Sequence, residues 1–262
     1  MRIVVRALIA FSLAIGSSVP ALAIPQHCPA GTPSPNAAIV FVCGEVGGDQ
    51  FFAPLQLSSD GKTYRTPPAF EQSGGGNTPW RVGLSLTLDP DPQINYTILA
   101  DNSGSSVVQS FQFTFFQAIV PEGSSAYVRG RIAGLLTDGA SDGVTLTPLS
   151  TKVAVTTLSS DTVAPPTTFV NMGIDVGNPG SIEFYGPYDS GLIDGPDPGS
   201  GNLWRYMQVD VGFTLSAGDT ASLSGLAYIG TVSVPEPGSL LLVGSGLLGL
   251  GMVLASRGIL PR

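Results

Sequence analysis

The sequence predicts an all-β fold: an antiparallel β-sandwich, jelly-roll-like, in one domain between two hydrophobic ends. Three observations predict it. From Gln50 onward apolar and polar residues alternate with period two. Turn residues break the alternation at short intervals, from a pool of 34 Gly and 22 Pro in 262 residues. No stretch between the two ends carries a convincing apolar period of 3.6.

Residues 1–23 read as a secretory signal peptide. Arg2 and Arg6 form the basic start, Ala7 to Gly16 the apolar run, and Ala21-Leu22-Ala23 the small-residue cleavage site. The domain is expected over residues 24–233. There, seven basic residues stand against eighteen acidic ones. So acidic a surface disfavours nucleic acid and anionic membrane surfaces as partners, and suits metal cations, neutral glycans or simple dispersal in water.

The only two cysteines, Cys28 and Cys43, flank a Pro-rich arm and an apolar strand, Ala37 to Val42. An even count in an exported chain favours a disulfide, which would pin the arm to that strand and stabilise by ~3 kcal/mol. The rival use, a thiol activated by neighbouring His27, is weak because adjacent side chains on an extended chain point to opposite faces.

The strands follow in order. Trp80, Val82, Leu84, Leu86 and Leu88 share one face, and Asp89-Pro90-Asp91-Pro92 ends that strand. Ile94, Tyr96 and Ile98 resume the alternation up to the turn Asp101-Asn102-Ser103-Gly104. Val107 to Ile119 carries Phe111, Phe113 and Phe115 on one face. Further strands are expected over Ala126 to Leu136 and Val144 to Leu149, and the short connections suggest antiparallel hairpins. The last pair alternates most cleanly. Met207, Val209, Val211, Phe213 and Leu215 face one way, and Tyr206, Gln208, Asp210, Gly212 and Thr214 the other. Ser216-Ala217-Gly218-Asp219 then reverses the chain into Ala221, Leu223, Gly225, Ala227 and Ile229, as a closing hairpin would. Gly- and Pro-rich loops are expected at Gln72 to Thr78, Thr162 to Thr167 and Asn178 to Gly201.

The C-terminal end has three parts in a fixed order. Pro235-Glu236-Pro237, closed by Gly238, precedes an uncharged run from Ser239 to Ser256, and Arg257 and Arg262 follow. Eighteen residues make a helix of roughly 27 Å, close to a hydrocarbon core of about 30 Å, so residues 239–256 are expected as a transmembrane helix. The prolines keep that helix from running back into the domain, and the arginines hold the far end cytoplasmic.

Motif, span and basic end together resemble the PEP-CTERM sorting signal of Gram-negative bacteria, here over residues 234–262. One departure is that Arg257 is followed by Gly-Ile-Leu-Pro-Arg rather than a tight basic cluster. In that family the Pro-Glu-Pro motif is recognised by an exosortase, a membrane cysteine transpeptidase-like enzyme, and the tail is removed during export. The resemblance implies Sec export, passage through the inner membrane, and a final place on the cell surface or in an extracellular matrix of exopolysaccharide or biofilm. The phrase FTLSAGDTASLSGLAYI, over residues 213–229, also resembles the closing hairpin of such proteins.

Catalysis has little to work with. The sole histidine, His27, lies in the Pro-rich arm, which leaves no Ser-His-Asp set and no histidine-based zinc site. No glycine-rich phosphate loop opens a helix. A carboxylate pair from Glu183, Asp175 and Asp210 is the remaining hydrolytic option, as in glycosidases, but alternation cannot bring any two together. No enzyme activity and no cofactor are expected. Acidic turns at Asp89 with Asp91, Asp138 with Asp142 and Asp194 with Asp197 have the oxygen ligands of a structural calcium, although Asp is favoured in turns because it caps the local backbone. The expected function is that of an exported surface or matrix protein with no evident catalytic site. The alternatives are a glycan-binding module and, further off, a carboxylate glycoside hydrolase. For the module, Tyr206, Gln208 and Asp210 form the candidate glycan face, with Trp80, Trp204, Tyr185 and Tyr188 as further aromatics. On a wet face, replacing the first three would leave stability intact.

Overall fold

Apolar residues at every second position become one buried face per strand, and two sheets close over those faces. The structure is a computed structural model and describes residues 28, 40–68, 70–122, 126–160, 167–178, 182–194 and 203–231. The expected signal peptide, His27, Asp197, the Pro-Glu-Pro motif and the 239–256 helix lie outside these residues. No helix among the described residues is long and apolar enough to cross a membrane.

The first strands are β1 (Val40–Val46), β2 (Asp49–Phe52), β3 (Gln56–Leu57), β4 (Tyr64–Arg65) and β5 (Phe70–Gly74). Four long ones follow: β6 (Trp80–Asp89), β7 (Gln93–Asp101), β8 (Gln109–Glu122) and β9 (Ala126–Thr137). Next come β10 (Val144–Pro148), β11 (Ala154–Ser160), β12 (Thr167–Met172) and β13 (Val176–Asn178). The series ends with β14 (Ile182–Asp189), β15 (Ile193–Asp194), β16 (Trp204–Leu215) and β17 (Thr220–Thr231). One sheet has eight strands along the path β12-β11-β16-β8-β1-β2, with β10 and β13 beside it. The other has nine along β14-β9-β17-β7-β6-β4-β3, with β15 and β5 beside it. Every pairing among the described strands is antiparallel.

The faces fall where alternation puts them. Met207, Val209, Val211, Phe213 and Leu215 are buried, and so are Trp80, Val82, Leu84, Leu86 and Leu88. Phe213 stacks on its ladder partner Phe111, centroids 5.6 Å apart. Tyr96 of the nine-stranded sheet stacks on Phe115 of the eight-stranded one at 5.0 Å. Tyr96 has room because its strand partner is Gly225, where a Cβ would come within 2.0 Å of the ring.

The partners differ from the expected hairpins. Both β1–β2 and β6–β7 are true hairpins; the first turns through Gly47 and Gly48 at φ of 57° and 97°, which glycine adopts without strain. By contrast, β16 and β17 do not pair. β16 lies between β11 and β8 in one sheet, and β17 between β9 and β7 in the other. The turn from Ser216 to Asp219 is therefore an arch that carries the chain across the core. The links from β7 to β8, from β8 to β9 and from β9 to β10 cross in the same way. Two strands that bury their apolar faces in one core from opposite sides show the same alternation as two strands side by side.

Two expected loops also contain strands. β5 takes up Gln72 to Gly74, and the segment from Asn178 to Gly201 contains β14 and β15. Within the nine-stranded sheet β14 is a path end, bonded to β9 alone, so it tolerates Pro187 and a register shift between Tyr185 and Tyr188.

Candidate functional site

Each sheet has an outer face, and the two differ. On the eight-stranded sheet, Cys28 is disulfide-bonded to Cys43 of β1, with Cα atoms 5.4 Å apart. The bond lies over a small apolar cluster separate from the main core: Cys28, Phe41, Cys43 and Phe116, with Tyr206 packed against it. Phe41 stacks on Phe116 at 4.8 Å, and Phe116 on Tyr206 at 5.6 Å. Tyr206 is therefore half-buried and committed to packing.

The other two members of the expected glycan face are occupied too. Gln208 Nε2 donates to Asp210 Oδ2 at 2.7 Å, and Thr114 Oγ1 donates to Asp210 Oδ1 at 2.5 Å. The expectation of an open wet face over Tyr206, Gln208 and Asp210 is corrected in this respect. These side chains do point away from the main core, but the Tyr206 end is taken up by packing against Phe116 and the small cluster.

The remaining aromatics divide between core and surface. Trp80, Trp204 and Tyr185 are buried. Trp80 Nε1 donates to Asp49 Oδ2 at 3.3 Å, Trp204 meets Phe169 edge-on at 5.4 Å, and the Tyr185 hydroxyl donates to Ile174 O at 3.2 Å. Burial pushes the Tyr185 hydroxyl well above its ordinary pKa. Tyr188 alone of these four reaches the surface.

Three acidic residues meet where the chain crosses between the sheets. Asp138 and Asp142, from the link between β9 and β10, meet Asp219 of the arch, with carboxylate oxygens within 4.8 Å of one another. Hydrogen bonds account for the two buried members. Asp138 accepts from the amides of Ser141 (2.6 Å) and Gly143 (2.9 Å). Asp219 accepts from the amide of Gly139 at 3.1 Å and from the Ser216 hydroxyl. Asp89 caps the Asp91 amide at 3.0 Å, as a turn aspartate does. Of the glycosidase-type carboxylates, Glu183 is on β14 of the nine-stranded sheet and Asp210 on β16 of the other, while Asp175 accepts from Thr147 Oγ1 at 2.7 Å.

The nine-stranded sheet leaves its outer face open. Register sets that face in rows: Arg131, Leu226, Asn95 and Thr87 in one, then Ala133, Ser224, Thr97 and Ser85 in the next. Thr97 and Ser224 hydroxyls are hydrogen-bonded at 3.1 Å. At one margin, the bulge in β14 brings Tyr188 and Asp189 beside these rows. A groove of about 530 Å³ lies between them, lined by Arg131, Ala133, Tyr188, Asp189, Ser224 and Leu226 among others. Asp189 ties the margin down. Arg129 grips it with two nitrogens, Nε at 2.8 Å from Oδ1 and Nη2 on Oδ2, and Arg131 Nε donates to Oδ2 at 2.7 Å. The bonds from Arg129, then from the Gly191 amide and from Arg131, hold the Asp189 carboxyl well below the usual carboxylate range. Sequence reading passed over Arg129 and Arg131, although their i, i+2 spacing on a strand already puts two of the domain's seven cations on one face.

Comparison with known proteins bears chiefly on the tail. Residues 233–257 match the family model of the PEP-CTERM protein-sorting motif, which spans Pro235, Glu236, Pro237 and Gly238. This is a PEP-CTERM domain-containing protein. The PEP-CTERM motif implies export, processing by an exosortase, and membrane-associated sorting toward the cell surface. No curated protein matches the chain in sequence. Among solved structures, TmCBM61 in complex with beta-1,4-galactotriose is similar at 11% identity, covering 63% of this chain and 89% of that one with a TM-score of 0.27. So loose a superposition bears on neither the fold nor a ligand of this PEP-CTERM protein.

Proposed function

We propose that this chain is an exported, exosortase-sorted protein of the cell surface or extracellular matrix. Its jelly-roll-like sandwich, over residues 24–233, is the unit delivered. Sec machinery would take it across the inner membrane, the 239–256 segment would hold it there, and an exosortase would release it. The observation that carries this reading is the junction between fold and motif. β17 ends at Thr231, and the matched motif begins at residue 233. A cut at Pro235-Glu236-Pro237 would thus fall beyond the last ladder bond and leave the sandwich whole.

Replacing Glu236 with Ala tests this reading. The variant should fold but accumulate unprocessed in the membrane fraction. If it matures and leaves the membrane at the wild-type rate, the tail is a plain anchor with a proline linker.

A second reading, a glycan-binding module working within exopolysaccharide, is favoured by the open face of the nine-stranded sheet. Ser, Thr and Asn side chains repeat there in rows, which suits the hydroxyls of a polysaccharide. The expected patch at Tyr206, Gln208 and Asp210 suits this less well, because its aromatic is stacked and its polar groups are bonded to each other.

A further inference from the structure

The geometry points to the groove between β9, β14 and β17 as a binding site for an anionic sugar residue, with Arg131 as the residue that receives the anion. This inference rests on the glycan-binding reading and names its site and ligand class.

Charge is the first argument. The domain is strongly acidic, yet this margin sets Arg129 and Arg131 against Asp189 alone. The next acid along the face, Asp194, pairs with Tyr127, four residues along β9 from Arg131. Arg129 by itself engages both carboxylate oxygens of Asp189. The bond from Arg131 is additional, and Nε is its only bonded guanidinium nitrogen among the described residues. Its side chain is 53% exposed. Held at Nε and lining the groove, it offers two terminal nitrogens in the planar fork that matches a carboxylate or a sulfate.

Shape and lining are the second argument. A groove of about 530 Å³ lies within the roughly 300–1,000 Å³ of small-ligand sites. Leu226 and Ala133 line the groove with apolar surface, Tyr188 borders it while packing against the main core, and the Ser224 hydroxyl, bonded to Thr97, keeps acceptor capacity for a ring hydroxyl. Tyr188 is steadied from behind by Tyr185, edge-on at 5.1 Å. This combination favours an acidic polysaccharide over a free anion, which would need no apolar wall.

The test uses the full chain, purified in mild detergent, in titrations against polygalacturonate, dextran sulfate and uncharged dextran. Binding to a charged polymer but not to dextran is expected, weakening as salt is raised. Arg131→Gln should weaken it by about tenfold or more while the melt is unchanged, because Asp189 keeps Arg129. Ser224→Phe, which fills the groove without removing a charge, should abolish it. Preference for polygalacturonate would assign the anion as a carboxylate, and preference for dextran sulfate as a sulfate ester; either supports the site if it depends on Arg131. Equal binding to dextran, or full binding by Arg131→Gln, overturns the anionic assignment and leaves a neutral-glycan module standing. Binding to none of the three polymers removes the glycan-binding reading together with the site.

Discussion

Tyr206 lies stacked on Phe116, ring centroids 5.6 Å apart, against the small cluster that holds the Cys28–Cys43 bond. That contact turns a residue on the outer face of β16 into part of a second, smaller core. Tyr206→Ala should therefore lower stability by about 1–2 kcal/mol, from a lost aromatic pair and half-buried area. Thermal melting checks this, with a fall of roughly 4 °C expected in a domain of this size. An unchanged melt would mean that the ring is held only by solvent.

Opening the disulfide should act on the same cluster. Cys28 and Cys43 are 15 residues apart, a loop whose closure is worth ~3 kcal/mol in the chain-entropy picture. Cys28→Ser should cost about that much and make Phe41, Phe116 and Tyr206 more accessible. Free thiols on freshly exported protein, measured by alkylation and mass spectrometry, would contradict the pairing.

The main core sets a larger scale. Phe213 is fully buried and stacked on Phe111, so Phe213→Ala should cost about 3–5 kcal/mol. Denaturant unfolding would reveal this as a lower midpoint with little change in slope. A loss under about 1 kcal/mol would show that the two sheets do not close over β16.

These three residues also mark what could be read from the chain. Alternation specifies which face of a strand is buried, and it does so correctly for Phe213 and for each apolar neighbour on β16. It does not specify which strand lies alongside. Met207 to Leu215 and Ala221 to Ile229 would look the same in a hairpin as in the arch that joins the two sheets. Tyr206 was legible as outward-facing, but the ring stacked on it belongs to Phe116, remote in sequence. The groove was hidden for a related reason. Arg131 and Asp189 meet only because β14 pairs with β9, and β14 sits in a segment whose Gly and Pro content reads as loop. Asp138 and Asp142 were legible as a pair from spacing alone, whereas Asp219 joins them only through the arch.

The groove margin should withstand acid to below the ordinary carboxylate range. A carboxyl whose folded pKa is depressed contributes stability above its ordinary value near 3.8, and that contribution is lost as pH falls from there toward the folded value. Asp189 should thus remain ionised and held by Arg129 and Arg131 at pH 3. Carboxyl carbon NMR through an acid titration checks this. A midpoint at the ordinary value would mean that the two arginines do not engage it in solution.

The most direct measurement is the intact mass of the protein recovered from the cell surface. The recovered chain should begin near Ile24, keep β17 through Thr231, and lack residues 239–256, with the disulfide closed. A surface protein that retains residues 239–256 would contradict this, because the sandwich would then be anchored and not released.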